Sequence, residues 1–494
     1  MIRPEHNSVF SKRKKKEAIK MTSWNTPEEI TEKMNRAKHA QETWSSLSLK
    51  KRIEYLKKLR KQLLKKRKEV ISILQNEAHK TPTDTLTAEI LATADAIVHY
   101  EKEIEGYMAE ETRKTPFIYG KQRTSVVRKP LGTIAVFSPW NFPLQLSMVP
   151  ALTALVTGNT VVLKPSEVLP KLNKWMEELF SSVFPTGTVE VVHGGKEQGI
   201  ALVDAKPEKI FFTGSVPVGK AIMKHAADYM IPVDLELGGK DPMIVCEDAN
   251  VNRAVEAGLY GSFLHSGQVC VSVERIYVHQ SIYRDFVEKL RSKALELTQG
   301  TDFHSDMGGM TTRDGFERVK KQVGNAIFHG AACVTDETWK QAEYPYFPPT
   351  ILTNVNQGME IMQEETFGPV VTVTPYSSEE EAIRLANDSR FGLNASIFSN
   401  NTEKGKQLAE RLNTGSVYVN DVIKNIANMN APFGGVKESG AARYHGREGV
   451  EAFTYTQAIM IEKGKRKRSF NYFPYSKKNF KRIERLLAII YGRK

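Results

Sequence analysis

Cysteine is scarce in this chain: three in 494 residues, Cys246, Cys270 and Cys333. An odd number of widely spaced thiols argues against a disulfide framework and fits a reducing, cytoplasmic compartment. No apolar run approaches the ~20 residues needed to span a bilayer. The opening MIRPEHNSVFSKRKKKEAIK carries a basic cluster but lacks the apolar stretch of a secretory signal. CxxC and HExxH are absent, and no two of the eleven histidines lie within four residues of each other, so local spacing points to no metal site. No GxSxG nucleophile elbow occurs either.

Basic residues outnumber acidic ones most strongly at the two ends. Residues 1–20 hold seven Lys/Arg and two Glu, and residues 463–494 hold twelve Lys/Arg and one Glu. These ends account for more than the whole net charge of +13, which leaves the body mildly acidic. A chain-wide basic surface for nucleic acid is thereby excluded.

Three stretches follow one another between the ends, with no internal repeat. In residues 27–115, Ile53, Leu56, Leu59 and Leu63 recur at the spacing of an amphipathic helix. Thr26 before Pro27 predicts an N-cap with proline in the first helical position. In residues 130–235, the runs GTIAVFS, NTVVLKP, TVEVVHG and KIFFTGS alternate with helical segments, which predicts a parallel sheet with crossover helices. Residues 236–440 repeat the mixture, with strands in DPMIVC, RIYVHQ, VVTVTPY and SVYVN and a helix over 251–264. Ligands of such sheets sit at the carboxyl ends of the strands.

Several motifs allow both a chemical and a plain reading. In KIFFTGSVPVGK, Gly214, Ser215 and Gly219 lie where a strand turns into a helix, a place suited to phosphate. The string fills seven positions of a P-loop, but Ala221 stands where a magnesium-binding hydroxyl is needed, and GxGxxG is absent. A plain strand–helix connection reads the same way. Glu236 ends the apolar strand PVDLE. Buried, it would have the raised pKa of a general base; solvent-facing, it would do nothing. Cys270 follows a Gly-Gln turn, where its sulfur can face a cleft, whereas Cys246 and Cys333 sit in strand-like runs as buried structural cysteines do. Asn141, within SPWNFPL, is either an oxyanion donor or ordinary turn chemistry.

Together and in this order, the motifs resemble the aldehyde dehydrogenase superfamily over residues 27–460. The matching segments are SPWNFPL (138–144), VVLKPSE (161–167), FTGSVPVG (212–219), LELGGKDP (235–242), GQVC (267–270), EETFGPV (364–370) and PFGGVKESG (432–440). Within the superfamily the chain looks closest to the class-3-like branch, which handles fatty and aromatic aldehydes. The resemblance implies an α/β fold with two Rossmann-like parallel-sheet domains and a bridging β segment. The cofactor domain would span 25–112 and 132–235, and the catalytic domain 236–440. Residues 113–131 and 450–462 would form bridging strands, flanked by a basic extension (1–24) and a basic tail (463–494). A homodimer or homotetramer is implied.

Carried over position by position, the resemblance makes Cys270 the nucleophile and Glu236 the base that activates the hydrolytic water. Asn141 becomes an oxyanion donor together with the Cys270 N–H. Trp140, Lys164, Glu167, Gly214, Ser215, Gly219, Leu237, Glu365 and Phe367 become the dinucleotide site. In it, Lys164 and Glu167 hold the adenosine ribose, and Glu365 holds the nicotinamide ribose. Phe142 and Phe433, with Val269 and Val271 beside the nucleophile, become the wall of an apolar aldehyde pocket. A carboxylate at Glu167 favours NAD over NADP by repelling a 2′-phosphate, while Lys164 keeps NADP open. The glutamate at 236 favours release of a free acid; relatives that pass the acyl group to coenzyme A usually lack it. A non-catalytic scaffold on the same fold is the other alternative, and it would require a lost nucleophile or base. Departures from the family pattern are Val269, the VSVER that follows the nucleophile's position, and the pair Lys437-Glu438.

In the tail, Phe480, Ile483, Leu487 and Ile490 recur at three to four residues with Lys481, Arg482 and Arg485 between them. That is a basic amphipathic helix, suited to an anionic membrane surface or to packing on a partner subunit. The expected location is the cytoplasm, with peripheral contact at the inner face of the membrane. Met21 stands just before the family-like region as an alternative start.

Overall fold

The computed structural model describes residues 24–116, 122–465, 467, 469 and 472–492. The basic extension as far as residue 23, including the alternative start at Met21, lies outside the described residues. The chain forms two compact units, Met1–Met108 with Lys129–Tyr455, and Ala109–Arg128 with Thr456–Lys494.

The larger unit begins with helices. Helix Pro27–Ser46 is closed by a capping box: Thr26 Oγ1 accepts the Glu29 N–H at 3.3 Å, and the Glu29 carboxylate accepts the Thr26 N–H at 3.0 Å. Helix Leu49–Lys65 buries Ile53, Leu56, Leu59 and Leu63, as their spacing predicts. Each such side chain contributes roughly 1.5–3 kcal/mol by leaving water. Together they pack against helix Pro143–Thr157, which is apolar on every side and fully buried.

The first two strands, β1 (Glu111–Arg113) and β2 (Arg123–Pro130), lead into two larger sheets. Strands β3 (Thr133–Phe137), β4 (Thr160–Lys164), β5 (Val189–Val191), β6 (Lys209–Thr213) and β7 (Val233–Glu236) form a five-stranded parallel sheet in the order β5-β4-β3-β6-β7. Strands β8 (Asp241–Val245), β9 (Val273–His279), β10 (Ala332–Cys333), β11 (Thr350–Thr353), β12 (Val370–Tyr376), β13 (Asn394–Phe398) and β14 (Ser416–Val419) form the second sheet. Its order is β10-β11-β12-β9-β8-β13-β14, parallel except where β10 meets β11. Most of these strands are buried on both faces, which is why they read as continuous apolar runs. Cys246 is buried after β8, whereas Cys333, in β10, is only half-buried.

The smaller unit holds the sheet β1-β2-β15, where β15 is Thr454–Ile461, and the helix Lys477–Tyr491. The second bridging strand begins later than the expected residue 450, because Gly446–Ala452 is a helix whose last turn buries Val450. The expected tail helix is present, with Phe480, Ile483, Leu487 and Ile490 all exposed. No helix among the described residues is long and apolar enough to cross a membrane.

Candidate active site

In the five-stranded sheet the chain crosses from one side of β3 to the other, so β3 lies between β4 and β6. Register aligns Phe137 with both Lys164 and Phe212, and Thr213 with Glu236, which brings the carboxyl ends of the strands to one edge. Such a crossover leaves a crevice outside the strand ends. A cavity of about 180 Å³ opens there. Its wall includes Trp140 and Asn141 after β3, Gly214 and Ser215 after β6, Glu236 and Leu237 at the end of β7, and Cys270, Glu365 and Phe367 from beyond the first sheet. Motifs hundreds of residues apart thus meet. The Trp140 and Phe367 rings pack edge to face at 5.5 Å.

Cys270 sits on a turn before β9 that several bonds pin in place. His265, Ser266 and Gly267 have φ of 48°, 54° and 67°, a left-handed run that reverses the chain after the helix Val251–Phe263. Such a run persists only where the surroundings enforce it. Ser266 Oγ donates to Gly308 O at 2.7 Å, Gln268 Nε2 donates to His265 O at 3.0 Å, and Gln268 Oε1 accepts the Thr311 N–H at 2.8 Å. Asn141 Nδ2 donates to Gln268 O at 3.0 Å, two residues from the cysteine. One N–H of that amide is left for another acceptor.

The electrostatics suit a site that moves protons. Glu236 is 4% exposed, and neither of its carboxyl oxygens has a hydrogen-bond partner among the described residues. Burial holds its pKa well above the ordinary carboxylate range, Arg443 opposes this, and Asp234 adds to it. Burial also pushes the Cys270 thiol up, and the carboxyls of Asp241, Glu365 and Glu236 act in the same direction. Glu365 accepts the Gly239 N–H at 3.1 Å and is pushed up to about 7, first by burial and then by Glu274. A thiol, an amide donor and a poorly ionised carboxyl around one cavity can perform nucleophilic addition, oxyanion stabilisation and water activation.

Other predicted residues lie elsewhere. Lys164, buried at the end of β4, has its Nζ 3.8 Å from Glu167. Neither lines the cavity, although Ser138, next to the cavity wall, donates its N–H to Lys164 O at 3.2 Å. Gly219 lies inside the helix Val216–Ala227, where a Cβ would stand 2.7 Å from Leu237, so it serves close packing. Phe142, Val269, Val271 and Phe433, expected as pocket wall, do not line this cavity. All four are buried in one hydrophobic cluster, because the turns on either side of the cavity are packed from behind. No group of three or more His, Cys, Asp or Glu among the described residues could hold a metal ion.

Several participants escaped sequence reading. Arg318, on helix Arg313–Phe328, is the cationic side chain on the cavity wall. The Glu274 carboxylate accepts the N–H groups of Thr366 and Phe367 and pairs with Lys240, which holds the segment carrying Glu365 and Phe367. A charge inside the strand run VERIYV was the available signal for Glu274. Arg318 gave none, being one exposed cation among many on helix surfaces.

The cavity geometry agrees with what the chain matches. The aldehyde dehydrogenase family matches it over residues 4–459. The chain belongs to the aldehyde dehydrogenase family. The 4,4'-diapolycopene aldehyde oxidase of a Methylomonas species is 39% identical over 472 residues, covering 94% of this chain and 88% of that protein. The 4,4'-diaponeurosporen-aldehyde dehydrogenase of Staphylococcus aureus is 32% identical, covering 88% and 94%. A solved betaine aldehyde dehydrogenase of Staphylococcus aureus in complex with NAD+ superposes with a TM-score of 0.84 at 30% identity, over 92% of this chain and 91% of that one. The expected superfamily fold is thereby met. This aldehyde dehydrogenase is an enzyme of the oxidoreductase class.

Proposed function

We propose that the protein oxidises apolar aldehydes to carboxylic acids, with Cys270 as covalent nucleophile. The observation that carries this reading is the meeting of Cys270, Asn141 and Glu236 on one cavity wall. In the proposed sequence the Cys270 proton passes to a water molecule as the sulfur adds to the aldehyde carbon. The oxyanion that forms accepts hydrogen bonds from the Asn141 amide and the Cys270 N–H. Such a preorganised donor contributes ~3 kcal/mol to lowering the barrier. Glu236 then takes a proton from water, which attacks the cysteine thioester and releases the acid.

The residues at the cavity fit a nicotinamide dinucleotide. Gly214 and Ser215 lead into the helix Val216–Ala227, and the positive end of a helix suits a pyrophosphate. Glu365 presents an acceptor for ribose hydroxyls, and Trp140, Leu237 and Phe367 give the wall an apolar side. Lys164 and Glu167 would hold the adenosine ribose, with NAD favoured over NADP. A bound dinucleotide supplies the hydride acceptor that turns the thiohemiacetal into the thioester.

The preference for apolar aldehydes is supported by the two relatives named for 4,4'-diapolycopene and 4,4'-diaponeurosporen aldehydes. The test is NAD reduction over aldehydes of graded chain length, run beside Cys270→Ala. Octanal is expected to be oxidised far better than succinate semialdehyde, and the variant to be inactive. Comparable turnover of the two aldehydes overturns the substrate class, and an active variant overturns the nucleophile. Product analysis with and without coenzyme A separates release of acid from acyl transfer.

The protein is proposed to act in the cytoplasm at an anionic membrane surface, as a homodimer or homotetramer. Helix Lys477–Tyr491 supports the first, with exposed Phe480, Leu487 and Ile489 among basic residues. Strand β15 supports the second, with exposed Tyr455, Met460 and Ile461 at a sheet edge. Deleting residues 463–494 should abolish binding to phosphatidylserine vesicles. Unchanged binding ends the membrane reading, and a drop in assembly mass instead assigns the helix to the partner subunit.

A further inference from the structure

Lys80 and Glu89 are completely buried and form an ion pair. Each also bonds backbone near Asn141. Lys80 Nζ donates to the carbonyl oxygen of Asn141 at 2.6 Å and lies 4.2 Å from the centre of the Phe142 ring. The second carboxylate oxygen of Glu89 accepts the N–H groups of Leu144 and Gln145 at 3.1 and 2.9 Å. Those N–H groups belong to the first turn of helix Pro143–Thr157, which has no side-chain cap of its own. The four residues from Asn141 to Leu144 are therefore clamped at both ends by one ion pair. Glu89 itself stands in a π-helical stretch, Thr85–Leu91, a rare conformation that is frequent at functional sites.

Stability alone gives little reason for such a pair. Taking two charges out of water costs about as much as their attraction returns, and apolar pairs of similar volume often hold a fold equally well. What the pair does supply is position. Asn141 has its carbonyl held by Lys80 and its amide held by Gln268 O at 3.0 Å, beside the turn that carries Cys270. A misplacement of about 1 Å at an oxyanion donor costs on the order of 10²-fold in rate.

We infer that Lys80 and Glu89 are positioning residues, which fix the backbone at Asn141 so that its amide meets the oxyanion formed at Cys270. The inference rests on the aldehyde-oxidising reading of the site. It is tested with the paired replacement Lys80→Met/Glu89→Leu in the full-length protein, measured beside the unaltered protein and Asn141→Ala. The expected result is a folded protein whose kcat is lower by about 10²-fold, with KM for aldehyde and the dissociation constant for NAD unchanged. Hydrolysis of a nitrophenyl ester, which uses Cys270 and the oxyanion donors but no dinucleotide, should fall in parallel. In the Asn141→Ala background the paired replacement should add little, because residues acting as one unit are not additive. An unchanged kcat, or a loss that multiplies fully with that of Asn141→Ala, overturns the inference. Failure of the unaltered protein to oxidise any aldehyde would instead overturn the reading beneath it. Should the paired variant not fold, Glu89→Gln keeps an acceptor for Leu144 and Gln145 at nearly the same volume. An unchanged kcat and ester hydrolysis in that variant would equally overturn the inference, and a drop in both with KM unchanged would support it.

Discussion

A Cβ placed on Gly239 would stand 2.4 Å from the carbonyl oxygen of Cys270. The link between the two large sheets therefore runs in backbone contact with the turn that carries the thiol. Its neighbour Gly238 is as close to Glu365, whose carboxylate would meet a Cβ there at 2.4 Å. The pair Gly238-Gly239 is where the two halves of the site touch, and no larger residue fits without moving one of them.

Gly239→Ala should accordingly push the Cys270 turn away from Asn141. The thiol, its oxyanion donor and the substrate carbon would no longer align, and a displacement of about 1 Å costs on the order of 10²-fold. Single-turnover formation of NADH should slow by that factor while NAD affinity changes little. A single-turnover rate equal to that of the unaltered protein would show that the turn tolerates the contact.

Glu236→Gln removes the base but leaves the thiol and the amide in place. Acyl-enzyme should still form and then persist, giving a burst of NADH close to one per site followed by a steady rate lower by about 10²–10⁴-fold. Mass spectrometry of the quenched enzyme should find the acyl group on Cys270. A normal steady rate would assign water activation to another group.

Much of this architecture is legible in the chain itself. Strand runs such as GTIAVFS and KIFFTGS are apolar from end to end because their strands are buried on both faces, so sequence pattern and sheet agree. Cys270 and Asn141 could be suspected from their turns, since a polar group beside Gly or Pro is presented rather than packed. Glu236 reads in the sequence as either a base or a solvated strand end, and its 4% exposure excludes the solvated end. Lys80, Glu89 and Lys240 could not be foreseen, because a charged residue reads as surface until its partner from another segment is known, whereas Glu274 left a signal as a charge inside an apolar strand run. The placement of Phe142 and Phe433 behind the cavity wall was equally hidden, for periodicity tells that a ring is buried but not against what.

Arg443 offers a test of how Glu236 is tuned. Its guanidinium opposes the effect of burial and holds the Glu236 pKa lower than burial alone would. The base must be ionised to act, so activity rises with pH through that pKa. Arg443→Gln removes the opposing charge, the pKa rises further, and the rising limb of kcat against pH moves to higher pH. The variant should lose most at neutral pH and recover at alkaline pH. A uniform loss at every pH would mean that Arg443 matters only through its bonds to Gly435 O and Ala442 O.

Lys240→Met separates structure from site in the second sheet. Lys240 pairs with Glu274, and both side chains are almost fully buried, at 1% and 3% exposure. Without the lysine the Glu274 carboxylate is left unpaired in the interior, at a cost of about 3–5 kcal/mol. The midpoint of thermal or urea unfolding should therefore fall. Glu274 also accepts the N–H groups of Thr366 and Phe367, so its displacement loosens the segment that presents Glu365 and Phe367 to the cavity. KM for NAD should rise in the same variant. Lys240→Met with Glu274→Gln removes the stranded charge while keeping an acceptor for those N–H groups, so both losses should be partly reversed. Stability that recovers while KM for NAD stays high would show that the lysine itself, through its 2.9 Å bond to Thr366 Oγ1, holds the segment.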